Sequence, residues 1–147
     1  MDLKKIPRKV IGEILIEEGF IEPQELTRAL EIQKQEGGLI GEILIREGGL
    51  TEEQLMTGLT KQTSLPFIHL SNYNVNRNAA KAIPRELAER YLFFAFDQDD
   101  CEIFLAMSDP ADPDALGEVR KRIPLGIQVY LSTPTEIRHA IGAYYGG

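Results

Sequence analysis

The sequence predicts an α+β protein: an N-terminal four-helix repeat, folded as two helical hairpins, followed by a small α/β domain with a three- to four-stranded sheet. Three observations lead there. A nine-residue stretch, IGEILIEEG at Ile11–Gly19, returns as IGEILIREG at Ile40–Gly48 with one difference, Glu17 against Arg46. The texture changes at Leu65-Pro66 from helical periodicity to short apolar runs broken by turn residues. The hydrophobic fraction, 43% of 147 residues, is that of a folded chain and sets disorder aside. The expected division is residues 1–63 for the repeat and 64–147 for the α/β domain.

Each copy of the repeat is expected to form two helices. Shifting the chain by 29 residues lays 11–33 over 40–62, with 11 of 23 positions identical. Ile11, Ile14 and Leu15 share one helix face, and Gly19 supplies a left-handed stop. Pro23 suits the first turn of the next helix, where its missing N–H costs nothing. Leu26, Ala29, Leu30 and Gln33 then follow at helical spacing. In the second copy Thr51-Glu-Glu-Gln54 is a capping box ahead of Leu55, and Gly37-Gly38 separates the copies.

Beyond Leu65, PFIHL is expected as a short strand, and NVNRNAAKAI and PRELAERY as short helices, the second opened by Pro84. Leu92–Asp97 and Glu102–Ser108 are apolar, aromatic-rich runs around Gln98-Asp-Asp100, the pattern of a hairpin. A helix begins near Asp112, GIQVYL is a strand, and Thr133 or Thr135 caps a last helix that ends near Tyr144.

Charge narrows the function classes. The net charge is −7, with 8 basic and 12 acidic groups in residues 1–64 and 8 and 11 in the remainder. Acidic halves argue against nucleic acid, whose phosphates require basic surface. A local excess of +3 over Asp2, Lys4, Lys5, Arg8 and Lys9 fits a solvated chain end better than an anion or membrane contact. Cys101 is the one cysteine, which excludes an internal disulfide and fits a reducing compartment. With no apolar run of signal-peptide or membrane-spanning kind, the expected location is cytoplasmic.

Catalytic signals are weak. GLTKQTS at Gly58–Ser64 lacks the second glycine of a phosphate loop and falls on a helix. GGLIG at Gly37–Gly41 follows no strand. His69 and His139 are far apart and outside metal-ligand spacing, and the acidic neighbours of Cys101 disfavour a thiolate. DPADPD at Asp109–Asp114 lacks calcium-loop spacing and suits a turn plus helix cap. No enzyme, catalytic residue or metal is expected.

The repeat is the strongest signal. Gly12 and Gly41 each open a helix, where free N–H groups attract anions and a missing side chain admits a ligand to the backbone. Gln33 and Gln62 each offer a donor and an acceptor suited to a base edge. Two pseudo-symmetric sites suit a ligand with two equivalent halves, such as a cyclic dinucleotide. The plainer alternative is a duplicated hairpin that packs on itself.

The pattern Ile11-Gly12, Leu26, Leu30, Gln33, repeated at Ile40-Gly41, Leu55, Leu59 and Gln62, resembles the N-terminal domain of type II secretion and type IV pilus assembly ATPases, the MshEN or GSPII_E N-terminal type. LPFIHL, AIPRELAERY, LAMSDPADPDAL and IRHAIGAYYG are similar to that family as well. The resemblance implies a non-catalytic domain that docks a secretion or pilus motor, in cis or in trans, onto an inner-membrane platform protein, with membrane association only through that partner. It also implies these ten residues as the candidate nucleotide-binding set, since one branch of the family binds cyclic di-GMP through paired motifs that begin Arg-Leu-Gly. Here Val10 and Leu39 stand in the arginine positions. Losing two charge-assisted contacts of about 1.5–3 kcal/mol each weakens binding by roughly 10²–10⁴-fold. Docking is therefore the leading expectation, with no cofactor, and a cyclic-di-GMP sensor the alternative.

Overall fold

Glycines end the first and third helices. Gly19 has φ +77° and Gly48 φ +85°, the left-handed region that favours glycine. In each copy the same pair of bonds closes the last turn. Phe20 N–H donates to Leu15 O at 3.0 Å and Gly49 N–H to Leu44 O at 3.1 Å, while Gly19 and Gly48 donate to Ile16 and Ile45. The computed structural model describes residues 10–108, 110 and 113–145, and it divides between Ser64 and Leu65 into two compact units. The basic cluster at Lys4–Lys9 and Asp109, Ala111 and Asp112 of the DPADPD segment lie outside the described residues.

The first unit holds α1 (Ile11–Glu17), α2 (Pro23–Glu36), α3 (Ile40–Arg46) and α4 (Glu52–Thr63). Pro23 sits in the first turn of α2. The expected capping box forms at α4: Gln54 N–H donates to Thr51 Oγ1 at 3.1 Å, and Thr51 N–H to Gln54 Oε1 at 3.0 Å. At α2 the Glu22 N–H donates to Glu25 Oε1 in the same way.

The helices pair across the copies. The most extensive neighbour of α1 is α4, and that of α2 is α3. Exchanging the copies turns one pair into the other, so the interleaving has approximate twofold character. Two hairpins, each closed on itself, are therefore not the main packing. Gly58 shows why: a Cβ there would lie 2.8 Å from Leu15 Cδ2 and 3.0 Å from Ile11 Cδ1, so the missing side chain lets α1 approach α4. Leu15, Ile14, Leu44 and Ile43 are buried in this arrangement, as are Ala29 and Leu59.

The second unit contains a 3-10 turn (Leu70–Asn72), α5 (Arg77–Lys81), α6 (Arg85–Tyr91), β1 (Phe93–Gln98), β2 (Glu102–Met107), α7 (Pro113–Arg122), β3 (Gly126–Leu131) and α8 (Pro134–Tyr145). The architecture is α+β, with a three-stranded mixed sheet of order β1-β2-β3 among the described residues. β1 and β2 form the expected antiparallel hairpin, with a bulge at Phe96. β2 and β3 pair in parallel, Glu102 opposite Gly126 through Met107 opposite Leu131, with α7 between them in the chain. Phe93, Phe94, Ile103, Leu105, Met107 and Leu131 are buried, and α5, α6 and α8 pack on β1.

PFIHL is not a strand. Phe67 makes an isolated parallel bridge to Leu131, with Leu131 N–H donating to Pro66 O and Ile68 N–H to Leu131 O. Pro66 has no N–H to extend such a ladder, and the chain turns into the 3-10 segment at Leu70. Thr133 caps α8, its Oγ1 accepting from Glu136 N–H at 3.1 Å.

Candidate functional site

The ten residues singled out in the repeat fall on four helices. Ile11 and Gly12 begin α1, and Ile40 and Gly41 begin α3. Leu26, Leu30 and Gln33 lie along α2, and Leu55, Leu59 and Gln62 along α4. Each glycine meets a leucine from its own copy. A Cβ on Gly12 would lie 2.8 Å from both δ-carbons of Leu26, and one on Gly41 would lie 2.7 and 2.8 Å from those of Leu55. Both glycines are buried. On the face where a Cβ would stand, helix packing fills the space beside each glycine with leucine.

Exposure then separates the copies. Leu55 and Leu59 are 4% and 6% exposed, whereas Leu26 is half-buried and Leu30 is 44% exposed. Gln33 is half-buried, and its Nε2 donates to Gly38 O at 3.0 Å. Gln62 is half-buried and also has an interaction partner. Val10 and Leu39 are the N-cap residues of α1 and α3, both extended, and neither side chain makes a cap hydrogen bond. Val10 is 60% exposed; with Leu30 it is one of the two large hydrophobic side chains most open to solvent among the described residues.

The histidines, unrelated in sequence, converge on α8. His69 Nδ1 lies 3.6 Å from Glu136 Oε2, and His139 is one helical turn beyond Glu136 on α8. Nearby, the Tyr73 phenol donates to the Asp97 carboxylate. That bond pushes the phenol up to about 12 and holds the Asp97 carboxyl below its ordinary value. Sequence reasoning missed this group because its members come from three separated segments. Cys101 is exposed, and its N–H and that of Glu102 donate to Asp99 Oδ1, which shapes the hairpin turn.

Residues 63–147 match the MshEN domain model. The chain belongs to the MshEN domain family. The match covers the α/β unit, and longer relatives cover the repeat as well. The type IV pilus assembly ATPase PilB of Myxococcus xanthus is 31% identical over 135 residues, 92% of this chain and 24% of that protein. PilB of Thermus thermophilus is 32% identical over 147 residues, 99% of this chain and 16% of its own. The chain thus spans a quarter or less of these curated relatives. Among solved structures, one of MshE with cdg (cyclic di-GMP) superposes with TM-score 0.78 at 33% identity, covering 94% of this chain and 100% of the other. The N-terminal domain of XpsE superposes with TM-score 0.77 at 20% identity, covering 92% and 94%, and shares the fold.

This MshEN chain is therefore homologous to a region of type IV pilus assembly ATPases. Among its described residues no helix is long and apolar enough to cross a membrane. No group of three or more His, Cys, Asp or Glu side chains among them could hold a metal ion.

Proposed function

We propose that this domain is a non-catalytic docking and regulatory module of a type II secretion or type IV pilus assembly ATPase system, joining the motor, in cis or in trans, to its inner-membrane platform protein. Family membership and the PilB relatives support the setting. The observation that carries the choice of docking is at the motif itself. Val10, in an arginine position, is an exposed aliphatic side chain, and Leu39, in the other, is half-buried. A ligand with two phosphodiester charges finds no cation at either position, whereas apolar surface favours a protein contact. In this reading the domain acts on the cytoplasmic side, holds no cofactor of its own and reaches the membrane through its partner. Calorimetric titration against the cytoplasmic segment of the platform protein tests it. Saturable binding is expected, and no heat at both low and high salt would overturn the proposal.

A second reading, a cyclic-di-GMP sensor, is favoured by the likeness to MshE with cdg. Gly12, Gly41, Gln33 and Gln62 are retained, as are Ile11, Ile40 and the four leucines. Calorimetry with cyclic di-GMP separates the readings, since micromolar affinity in the natural sequence selects the sensor. Val10→Arg with Leu39→Arg is expected to tighten cyclic-di-GMP binding by about 10²-fold or more if charge is what is missing. No gain would place the deficit in the burial of Leu55 and Leu59 instead.

A further inference from the structure

A cleft of about 410 Å³ opens on the second unit where the 3-10 turn faces α8. Leu70 and Ala140 in its lining are buried, while Ser71, His139 and Ala143 are exposed, so the cleft communicates directly with solvent. Ala140 and Ala143 are one helical turn apart on α8, and their small side chains help leave the space. The rings of Tyr73 and Tyr144 also line it.

The carboxylate in the lining is Glu136, and among the described residues no lysine or arginine lines the cleft. Its present partners are distant. Glu136 Oε1 accepts from Ser71 N–H at 3.5 Å and Ser71 Oγ at 3.2 Å, and Oε2 lies 3.6 Å from His69 Nδ1. A charge-assisted bond runs to about 2.7–2.9 Å, and a carboxylate has about four acceptor sites. Glu136 thus retains capacity for a close cationic donor. The guanidinium of Arg77, 5.2 Å from the centroid of the Tyr144 ring, is outside the lining.

We infer that this cleft receives an arginine side chain of a partner protein. This rests on the docking reading and assigns it a contact point. The methylene stem lies on Leu70 and Ala140, and the planar guanidinium pairs with Glu136 beside the tyrosine rings, which arginine suits better than a spherical ammonium. An open cleft of this kind gives a lone small molecule little contact, whereas an arginine anchored by flanking partner residues is a common centre of binding energy.

The test is a nuclear magnetic resonance titration of the isotope-labelled 147-residue chain with N-acetyl-Leu-Arg-Leu-amide, with N-acetyl-Leu-Glu-Leu-amide as control. Amide shifts confined to residues 69–73 and 135–144 are expected, with the arginine peptide binding at least about tenfold more tightly than the control. Glu136→Gln should lower that affinity about tenfold. Ala143→Trp, at an exposed position, should fill the cleft and abolish binding with every charge retained. Shifts elsewhere, equal affinity for both peptides, or undiminished binding to Ala143→Trp would overturn the inference. So would a variant Ala143→Trp that loses the peptide yet binds the platform segment unchanged; that result leaves the docking reading standing and moves its contact away from this cleft.

Discussion

The two copies of the repeat share 11 of 23 residues and yet differ in what they show to solvent. Their common residues make common structure: the same glycine-terminated turns, the same glycine–leucine contact, the same buried pairs Ile14 with Ile43 and Leu15 with Leu44. The residues that differ lie mostly on the second helix. Thr27 is exposed in α2 where Met56 is buried in α4, and α4 buries Leu55, Met56, Gly58 and Leu59 where α2 buries Ala29. Leucines identical in sequence therefore become one open position, Leu30, and one closed position, Leu59. A duplication keeps backbone geometry and the contacts it dictates. Exposure depends on the whole surrounding face, and it diverges sooner.

The largest effect should separate those two leucines. Leu59→Ala removes a side chain that is 6% exposed and should cost about 2–4 kcal/mol in a urea unfolding series. Leu30→Ala removes one that is 44% exposed and should cost less than about 1 kcal/mol. Equal costs would mean that the copies are equivalent after all and would restore the symmetric two-site picture.

How much of this was legible in the sequence follows from which physics is local. Gly19, Pro23 and the Thr51–Gln54 box act within a turn of the chain, and each is found where the pattern placed it. The aromatic runs around Asp99-Asp100 likewise specify their own hairpin. Periodicity identifies an apolar face but not the helix that meets it, so the pairing of α1 with α4 was hidden. PFIHL failed as a strand because its alternation says nothing of Pro66's missing donor or the turn that follows. For the candidate site, the glycines and the leucines stood out in the sequence, but the packing of Leu26 beside Gly12 and of Leu55 beside Gly41 did not. The approach of His69 to Glu136 depends on packing the 3-10 turn against α8, a contact with no signature in sequence spacing.

A smaller effect sharpens the same contrast at the glycines. Alanine at either position would gain up to about 1 kcal/mol of helix propensity and would press on leucine δ-carbons. Leu26 is half-buried and can swing outward, so Gly12→Ala should stay within about 0.5 kcal/mol of the natural chain. Leu55 is confined, so Gly41→Ala should lose about 1–2 kcal/mol net of overpacking. Thermal unfolding of the two single variants reads the difference. A greater loss at Gly12 would reverse the assignment of open and closed copies.

The smallest effect concerns ion pairs that cross between the copies. Lys61 of α4 reaches Glu18 beyond α1 at 2.5 Å, and Arg28 of α2 reaches Glu47 beyond α3 at 3.1 Å. Glu18 and Glu47 are equivalent by the repeat, but their cations are not: Ile32 occupies the position of Lys61, and Thr57 that of Arg28. The same cross-copy link is thus made twice from different sites on the partner helix. All four side chains are substantially exposed, so each pair should contribute about 0.2–1 kcal/mol, weakening as salt rises. Double-mutant cycles over Glu18 with Lys61 and Glu47 with Arg28 measure both couplings. Similar values would show that the interleaved pairing is reinforced evenly despite divergent residues. Coupling at Glu18 alone would show that the asymmetry seen in the leucines extends to the surface charges.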